Sequence, residues 1–378
     1  MKYPIYMDYN ATTPLDKRVL EAMIPYLTEH FGNAASRSHA YGWKAAEAVD
    51  AARQQVADLL GCTSKEIVFT SGATEAVNLA IKGVYEAFSS KGNHIITIKT
   101  EHKAVLDTCQ HLEKLGAEIT YLDVDNEGNI DLENLKNAIK KQTILISVMG
   151  ANNEIGVIYP IQEIARIAHE NGILFHTDAT QAVGKIPVNV IADEIDLLNL
   201  SAHKLYGPKG VGALYVRKKL NIIAQQDGGK HERGLRSGTL NVAGIVGLGQ
   251  AAEIAHREGL QEAEKLRYLR DKLEEGILTQ LPHAKRNGSK LKRLSNTINI
   301  SFGKLDGEQL LMNLNEIAVS NGSACNSAST EPSYVLKAMG LDDESAYSSV
   351  RFSLGRMTQE QDIDVAIEHV VKVVNKMY

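Results

Sequence analysis

The chain has 378 residues, of which 44% are hydrophobic and 23% charged, and its formal net charge at pH 7 is -5. This length and apolar content suit about two globular domains. The mild acidity excludes the binding of nucleic acid or of an anionic membrane by charge alone. Neither a secretory leader nor a run of about 18 apolar residues is recognisable. We therefore expect a cytoplasmic protein that acts on small molecules.

Short apolar runs alternate with amphipathic helical stretches through the first part of the chain. The runs lie at 66–70, 94–98, 118–124, 143–149, 172–178, 196–202 and 212–217. Continuous Val/Ile/Leu runs of this length, separated by helices, are typical of strands that are buried on both faces. The pattern predicts an α/β domain with a mostly parallel, seven-stranded sheet.

A different pattern follows in the last third of the chain. From about residue 241 to 281 it is long and helical, and beyond this it changes to shorter strands and helices such as TINISF and GEQLLMNL. These units predict a smaller α+β domain. We expect the large domain to span 14–255 and the small domain to combine 1–13 with 256–378.

Three cysteines, Cys62, Cys109 and Cys325, have no CxxC spacing. Their odd number argues against a disulfide framework or a thiolate metal site, and no bound metal is expected. Cys62 lies in a turn and Cys109 in a helical pattern, so both are expected to be inert. Cys325 lies in SNGSACNSAST, where Ser, Gly, Asn and Ala offer little apolar surface to bury. A mobile loop with a reactive thiol is predicted from about residue 320 to 332.

Ligands of open α/β sheets bind at the carboxyl ends of the strands, so the polar residues there are candidates for chemistry. Ser71, Gly72, Ala73 and Thr74 follow the first strand and begin a helix. The free N–H groups of such a helix start suit a phosphate. An ordinary helix cap is the alternative, and by itself it is the commoner reading.

Three further strand ends carry His102, Asp178 with Gln181, and His203 with Lys204. Each is a weak signal alone; a single histidine there is more often a surface residue. Together with the phosphate cradle they match what pyridoxal 5′-phosphate requires. Its phosphate needs N–H donors, its ring nitrogen a carboxylate, and its aldehyde a lysine that forms a Schiff base.

Long motifs run along nearly the whole chain: YNATTPLD, FGNAASRSHAYG, FTSGATEAVN, TEHKAVL, NNEIGV, HTDATQAVGK, SAHKLYGPKG, ERGLRSGTLN, SNGSACNSASTEPSYVL and VRFSLGR. In these motifs the chain resembles the pyridoxal-phosphate-dependent cysteine desulfurases of the NifS/IscS type, in the class V aminotransferase family. The resemblance implies a homodimer with the fold-type-I, aspartate-aminotransferase-like fold. It also implies that the protein removes sulfur from L-cysteine and yields L-alanine.

The resemblance further implies a role for each matching residue. Lys204 would bear the cofactor and move the substrate proton, His102 would stack on the ring and assist that transfer, and Cys325 would take the sulfur as a persulfide. For the cofactor it implies Asp178 at the ring nitrogen, Gln181 at the ring hydroxyl oxygen, Asn153 facing the ring, and Gly72, Ala73, Thr74, Ser201 and His203 around the phosphate, joined by Thr239 of the other subunit. Arg351, with Asn153, would bind the substrate carboxylate.

The chain departs from the family pattern in two places. The segment DGGKHERGLRSGT departs from the expected GGGQERGLRSGT at Lys230 and His231, and the chain ends at Tyr378 without the further tail that docks an iron–sulfur scaffold in related enzymes. The acceptor of the sulfur is expected to be a scaffold or a tRNA-thiolation enzyme. A selenocysteine lyase on the same scaffold is an alternative enzyme, and a non-catalytic binding protein is an alternative of another class.

Overall fold

The computed structural model describes residues 4–321 and 332–378. Cys325 and most of the predicted mobile loop lie outside the described residues. The strands are β1 (Ile5–Tyr6), β2 (Ile67–Thr70), β3 (His94–Ile98), β4 (Glu118–Leu122), β5 (Thr143–Ser147), β6 (Leu174–Asp178), β7 (Leu197–Ser201), β8 (Gly212–Val216), β9 (Lys285–Asn287), β10 (Thr297–Ser301), β11 (Ile317–Ala318) and β12 (Ser349–Ser353). The α-helices are α1 (Lys17–Thr28), α2 (Ala40–Leu60), α3 (Ala73–Phe88), α4 (Lys103–Glu113), α5 (Leu132–Ala138), α6 (Ile161–Glu170), α7 (Val242–Leu278), α8 (Gly307–Asn313), α9 (Tyr334–Ala338), α10 (Asp343–Tyr347) and α11 (Glu360–Met377).

A seven-stranded sheet with the order β2-β8-β7-β6-β5-β3-β4 forms the centre of the protein. Each of the seven predicted runs supplies one of its strands, so the prediction of a mostly parallel α/β sheet is confirmed. Only β8 is antiparallel to both of its neighbours. Strands β3, β5 and β7 are buried at every position, which explains their unbroken apolar sequences. Their carboxyl ends meet at one edge of the sheet.

A second group of elements packs beside this sheet. Strands β9, β10 and β12 form an antiparallel sheet, and β1 pairs with β11. They enclose a separate apolar core with the second half of α7 and with α11, which includes Leu273, Phe302, Phe352 and Val370. The first half of α7 packs into the core of the large sheet instead. A single helix therefore crosses residue 255, and the exact domain division stays a prediction.

Candidate functional site

A cavity of about 440 Å³ opens at the carboxyl ends of the parallel strands. Most of the residues predicted for the cofactor and the substrate line it: Gly72, Ala73, Thr74, His102, Asn153, Asp178, Gln181, Ser201, His203, Lys204 and Arg351. They come from six separate motifs that the fold brings to one place. Thr239, which was predicted to act from the other subunit, is exposed and is not among the lining residues.

One end of the cavity is built from the start of α3 and the end of β7. Helix α3 begins at Ala73 directly after Gly72, so its free N–H groups face the cavity. Gly212 of β8 lies close behind, because a Cβ atom there would be 2.8 Å from the Cα of Gly72. Ser201 and His203 complete this end. Burial, and then the charges of Lys204 and Lys209, lower the pKa of His203 to about 4, so its imidazole is neutral near pH 7.

Lys204 ends a short 3₁₀ turn, Ala202–Lys204, that follows β7. Its Nζ donates hydrogen bonds to the carbonyl oxygens of Asn10 (2.5 Å) and Ala11 (2.7 Å). The same N-terminal segment fastens the turn, since Thr13 donates from Oγ1 to the carbonyl oxygen of His203. The motif YNATTPLD contains Asn10 and Ala11, but no pattern in the sequence assigns either residue a role. Only the folded structure shows that their carbonyl oxygens bind the amine of Lys204.

Asp178 is the last residue of β6 and is 5% exposed. Its Oδ1 accepts hydrogen bonds from Asn199 Nδ2 (2.7 Å) and from the N–H of Thr180 (3.0 Å). Asn199 Oδ1 in turn lies 2.9 Å from His176 Nε2, and His176 Nδ1 lies 2.8 Å from Ser147 Oγ. These hydrogen-bonded side chains lie on three strands, β5, β6 and β7, and they hold the Asp178 carboxylate in one orientation.

The amide of Asn199 determines the tautomer of His176. Because Asn199 uses its NH₂ group on Asp178, its oxygen must accept from His176, which therefore carries its proton on Nε2. Burial lowers the pKa of His176 to about 4, against the opposing effects of the Asp178 charge and the Asn199 hydrogen bond. A neutral imidazole thus binds the amide oxygen of Asn199, and the NH₂ group of the same amide binds the Asp178 carboxylate.

His102 caps α4, and its Nδ1 accepts a hydrogen bond from the N–H of Ala104 at 3.1 Å. A neutral His102 therefore carries its proton on Nε2. Gln181 is 4% exposed and donates from Nε2 to the carbonyl oxygen of Asn10 at 3.0 Å. Both side chains are held by backbone groups, so they are fixed before any ligand binds.

Arg351 lies on β12, so the small antiparallel sheet also contributes a side chain to the wall of the cavity. Its side chain is 1% exposed, and its Nη2 lies 2.6 Å from Asp8 Oδ1 while its Nη1 donates to the carbonyl oxygen of Asn153 at 3.0 Å. Arg356, a second arginine five residues further along the chain, does not line the cavity. It pairs with Asp16 and Glu262 instead.

Glu154 also lines the cavity and was missed by the sequence analysis, although NNEIGV contains it. It is 1% exposed, and Ser333, at the start of α9, donates to its Oε2 at 2.5 Å. Burial raises the pKa of Glu154, against the Ser333 hydrogen bond and the charges of Arg351 and His102. The contact connects the wall of the cavity to the segment that follows residue 331.

The two described cysteines have environments that suppress reactivity. Burial, followed by the charges of nearby carboxylates, raises the pKa of the Cys62 thiol and of the Cys109 thiol to about 12. A thiol reacts as its thiolate, which is scarce for both residues at neutral pH. These environments agree with the inert role predicted for both.

The class-V aminotransferase family model matches residues 5–365. The chain belongs to the class-V aminotransferase family. It is 56% identical over 379 aligned positions to the cysteine desulfurase IscS of Anaeromyxobacter sp. (strain Fw109-5), a match that covers 100% of this chain and 94% of the relative. The similar protein of Histophilus somni (strain 2336) is also 56% identical, with the same coverage.

Solved structures with a similar fold agree with this assignment. A NifS-like protein superposes with a TM-score of 0.93 at 39% identity, covering 99% of this chain and 100% of the other. A structure described as SspA in complex with cysteine has a TM-score of 0.84 at 39% identity and covers 93% and 99%. The fold-type-I prediction is confirmed, and the protein is a pyridoxal-phosphate-dependent cysteine desulfurase. The alternative of a non-catalytic binding protein is therefore wrong.

Among residues 4–321 and 332–378, no helix is long and apolar enough to cross a membrane.

Proposed function

We propose that the cavity holds pyridoxal 5′-phosphate through Lys204, with the phosphate at the start of α3 and the ring nitrogen at Asp178. The observation that carries this proposal is the convergence of Lys204, Asp178, Gln181 and the N–H groups of α3 on one cavity of about 440 Å³. When bound, the cofactor supplies an electron sink for bonds at the substrate carbon. The buried, anchored Asp178 carboxylate favours a protonated ring nitrogen.

The remaining side chains act on L-cysteine. Arg351 binds the substrate carboxylate with two parallel hydrogen bonds, Lys204 moves the proton of the substrate α-carbon, and His102 assists this transfer. The Cys325 thiolate then forms an S–S bond with the substrate sulfur as the bond from that sulfur to the β-carbon breaks, and the β-carbon takes up one proton. L-Cysteine and the enzyme thiol thereby give L-alanine and a persulfide without an external oxidant or reductant.

Lys204→Ala tests this assignment. The substitution removes the amine of Lys204, so we expect the visible absorbance of the lysine-bound cofactor and the production of alanine to be lost. The cofactor itself is expected to remain bound through its phosphate contacts. Normal production of alanine by the variant would disprove the role of Lys204.

We also propose that the enzyme is a homodimer whose second subunit contributes Thr239 to each phosphate site. In support, Leu20, Ile24 and Leu27 form an exposed apolar stripe on α1, with exposed fractions of 42%, 46% and 60%. Phe31, Tyr41 and Trp43 are exposed nearby in sequence. Light scattering would measure the oligomeric state, and Ile24→Asp is expected to shift it towards monomer. A monomeric wild-type enzyme would contradict the proposal.

The sulfur acceptor is proposed to be a protein that serves iron–sulfur clusters or tRNA thiolation. The relatives named IscS support an acceptor of this kind. Acceptors trapped as mixed disulfides on Cys325 and identified by mass spectrometry would test it, with Cys325→Ser as the control. A cytoplasmic location stays a prediction.

A further inference from the structure

Lys185 lies directly behind the proposed cofactor site, yet none of the roles described above uses it. Its Nζ donates a short hydrogen bond to Gln181 Oε1 and a longer one, 3.3 Å, to Asn10 Oδ1. Gln181 and Lys185 both lie in the turn that follows β6, and the hydrogen bond shows that their side chains meet. The lysine is partly buried.

The contacts of Gln181 determine which way its amide points. An ammonium group only donates, so the atom of Gln181 that faces Lys185 must be the carbonyl oxygen. The other end of the amide faces the carbonyl oxygen of Asn10, which only accepts. A reversed amide would place donor against donor at Lys185 and acceptor against acceptor at Asn10. The NH₂ group of Gln181 therefore has a hydrogen left to donate into the cavity.

We propose that Lys185 is a positioning residue of the cofactor site, which orients Gln181 so that its NH₂ group donates to the ring hydroxyl oxygen of the cofactor. This inference rests on the proposed binding of pyridoxal 5′-phosphate in the cavity. A ring oxygen that carries negative charge prefers a donor over a carbonyl oxygen, so the orientation favours binding.

The surroundings of Lys185 agree with this role. Lys204, Glu262 and Arg351 are the charged groups that act on it. Burial, and then the charge of Lys204, lower the pKa of Lys185 to about 7, against the opposing charge of Glu262. Both of its contacts are nevertheless oxygen atoms that accept, and they favour the protonated, donating form.

The test is the dissociation constant of pyridoxal 5′-phosphate, measured by absorbance titration of cofactor-free wild type, Lys185→Met and Gln181→Met. Methionine keeps the length of the side chain but has no N–H donor. We expect Lys185→Met to weaken cofactor binding by about tenfold, which corresponds to roughly 1.4 kcal/mol, and to shift the absorbance maximum of the bound cofactor. Lys114→Met, at an exposed lysine that does not line the cavity, removes the same charge and is expected to change neither.

The double variant decides whether Lys185 acts through Gln181. If it does, Lys185→Met should add less than about twofold to the loss caused by Gln181→Met alone. Equal cofactor binding in wild type and Lys185→Met, or full additivity in the double variant, would overturn the inference while leaving the cofactor site intact. Failure of the wild type to bind the cofactor would overturn the proposed function and this inference together. Thermal unfolding of each variant shows that the compared proteins are folded.

Discussion

Arg351 and Asp8 form an ion pair at the wall of the cavity, with Nη2 of the arginine 2.6 Å from Oδ1 of the aspartate. The pair joins residues separated by 343 positions and connects β12 to the segment after β1. Because the guanidinium is buried, the Asp8 carboxylate both neutralises it and fixes its plane. In the proposed site, the substrate carboxylate would therefore meet a guanidinium that is already oriented.

Arg351→Lys is predicted to raise the Michaelis constant for L-cysteine by about tenfold or more, or roughly 1.4 kcal/mol, because lysine keeps the charge but loses the two-point contact. Steady-state kinetics of alanine formation would measure it. Arg356→Lys is the control, since Arg356 pairs with Asp16 and Glu262 outside the cavity. A constant that rises in the control but not in Arg351→Lys would assign substrate binding to Arg356.

The second prediction separates substrate binding from sulfur transfer. Cys325→Ala leaves Lys204, Asp178 and His102 intact, so the variant should still bind L-cysteine and change the cofactor absorbance. It should release almost no alanine, because no thiolate takes the sulfur. Stopped-flow absorbance and an alanine assay on the same sample would measure both steps. Wild-type turnover would mean direct elimination, the reaction of a lyase.

A third prediction concerns the stability of the protein in acid. The pKa of His176 is about 4 in the folded protein, against 6.5 for an unperturbed histidine. Between these values the unfolded chain binds the extra proton, so the free energy of unfolding falls as the pH drops from about 6.5 to 4. This one residue accounts for about 3 kcal/mol of that loss.

His176→Gln should therefore show a flatter decline between these two pH values, although it is less stable at pH 7 because its contacts to Ser147 and Asn199 are altered. Urea unfolding at pH 7 and pH 5 would compare the two proteins. An equal decline in both would show that His176 is not the group that titrates.

The seven strands of a mostly parallel sheet and the location of most candidate site residues at its edge follow from the sequence, whereas the order of the strands does not. Buried parallel strands are continuous apolar runs, and the polar residues that end them, such as Asp178 and Lys204, stand out against those runs. The roles of Asn10 and Lys185 do not follow. Asn10 contacts Lys204 across 194 positions, and neither hydrophobic periodicity nor local spacing carries information about such a pair. The tautomer of His176 likewise depends on Asn199, which belongs to another strand.

A fourth prediction concerns the segment that contains Lys230 and His231, where the sequence departs from the expected motif. The next residue, Glu232, is buried and accepts hydrogen bonds from both Nη atoms of Arg53 and from the N–H of Phe69, each at 2.7 Å. Glu232→Gln leaves the Arg53 charge uncompensated, so we expect it to lower the free energy of unfolding by about 3 kcal/mol or more. Urea unfolding is the measurement.

Asp123→Asn is the matched control for Glu232→Gln, because Asp123 pairs with Lys99 on the surface, where the two side chains are 75% and 47% exposed. An exposed pair of this kind contributes about 1 kcal/mol or less. Equal effects of the two substitutions would mean that the Arg53 pair does not anchor the segment to β2.

The central claim is that the cofactor is attached to Lys204, and peptide mapping tests it most directly. Borohydride reduction of the cofactor-loaded enzyme makes the lysine linkage permanent, and mass spectrometry of the digested protein then locates it. Lys103 and Lys209 also line the cavity and Lys185 lies directly behind Gln181, so four lysines compete for the assignment. The structure predicts the modification on the peptide containing Lys204 and on none of the others. A modification on Lys103, Lys185 or Lys209, or none at all, would contradict the proposed site.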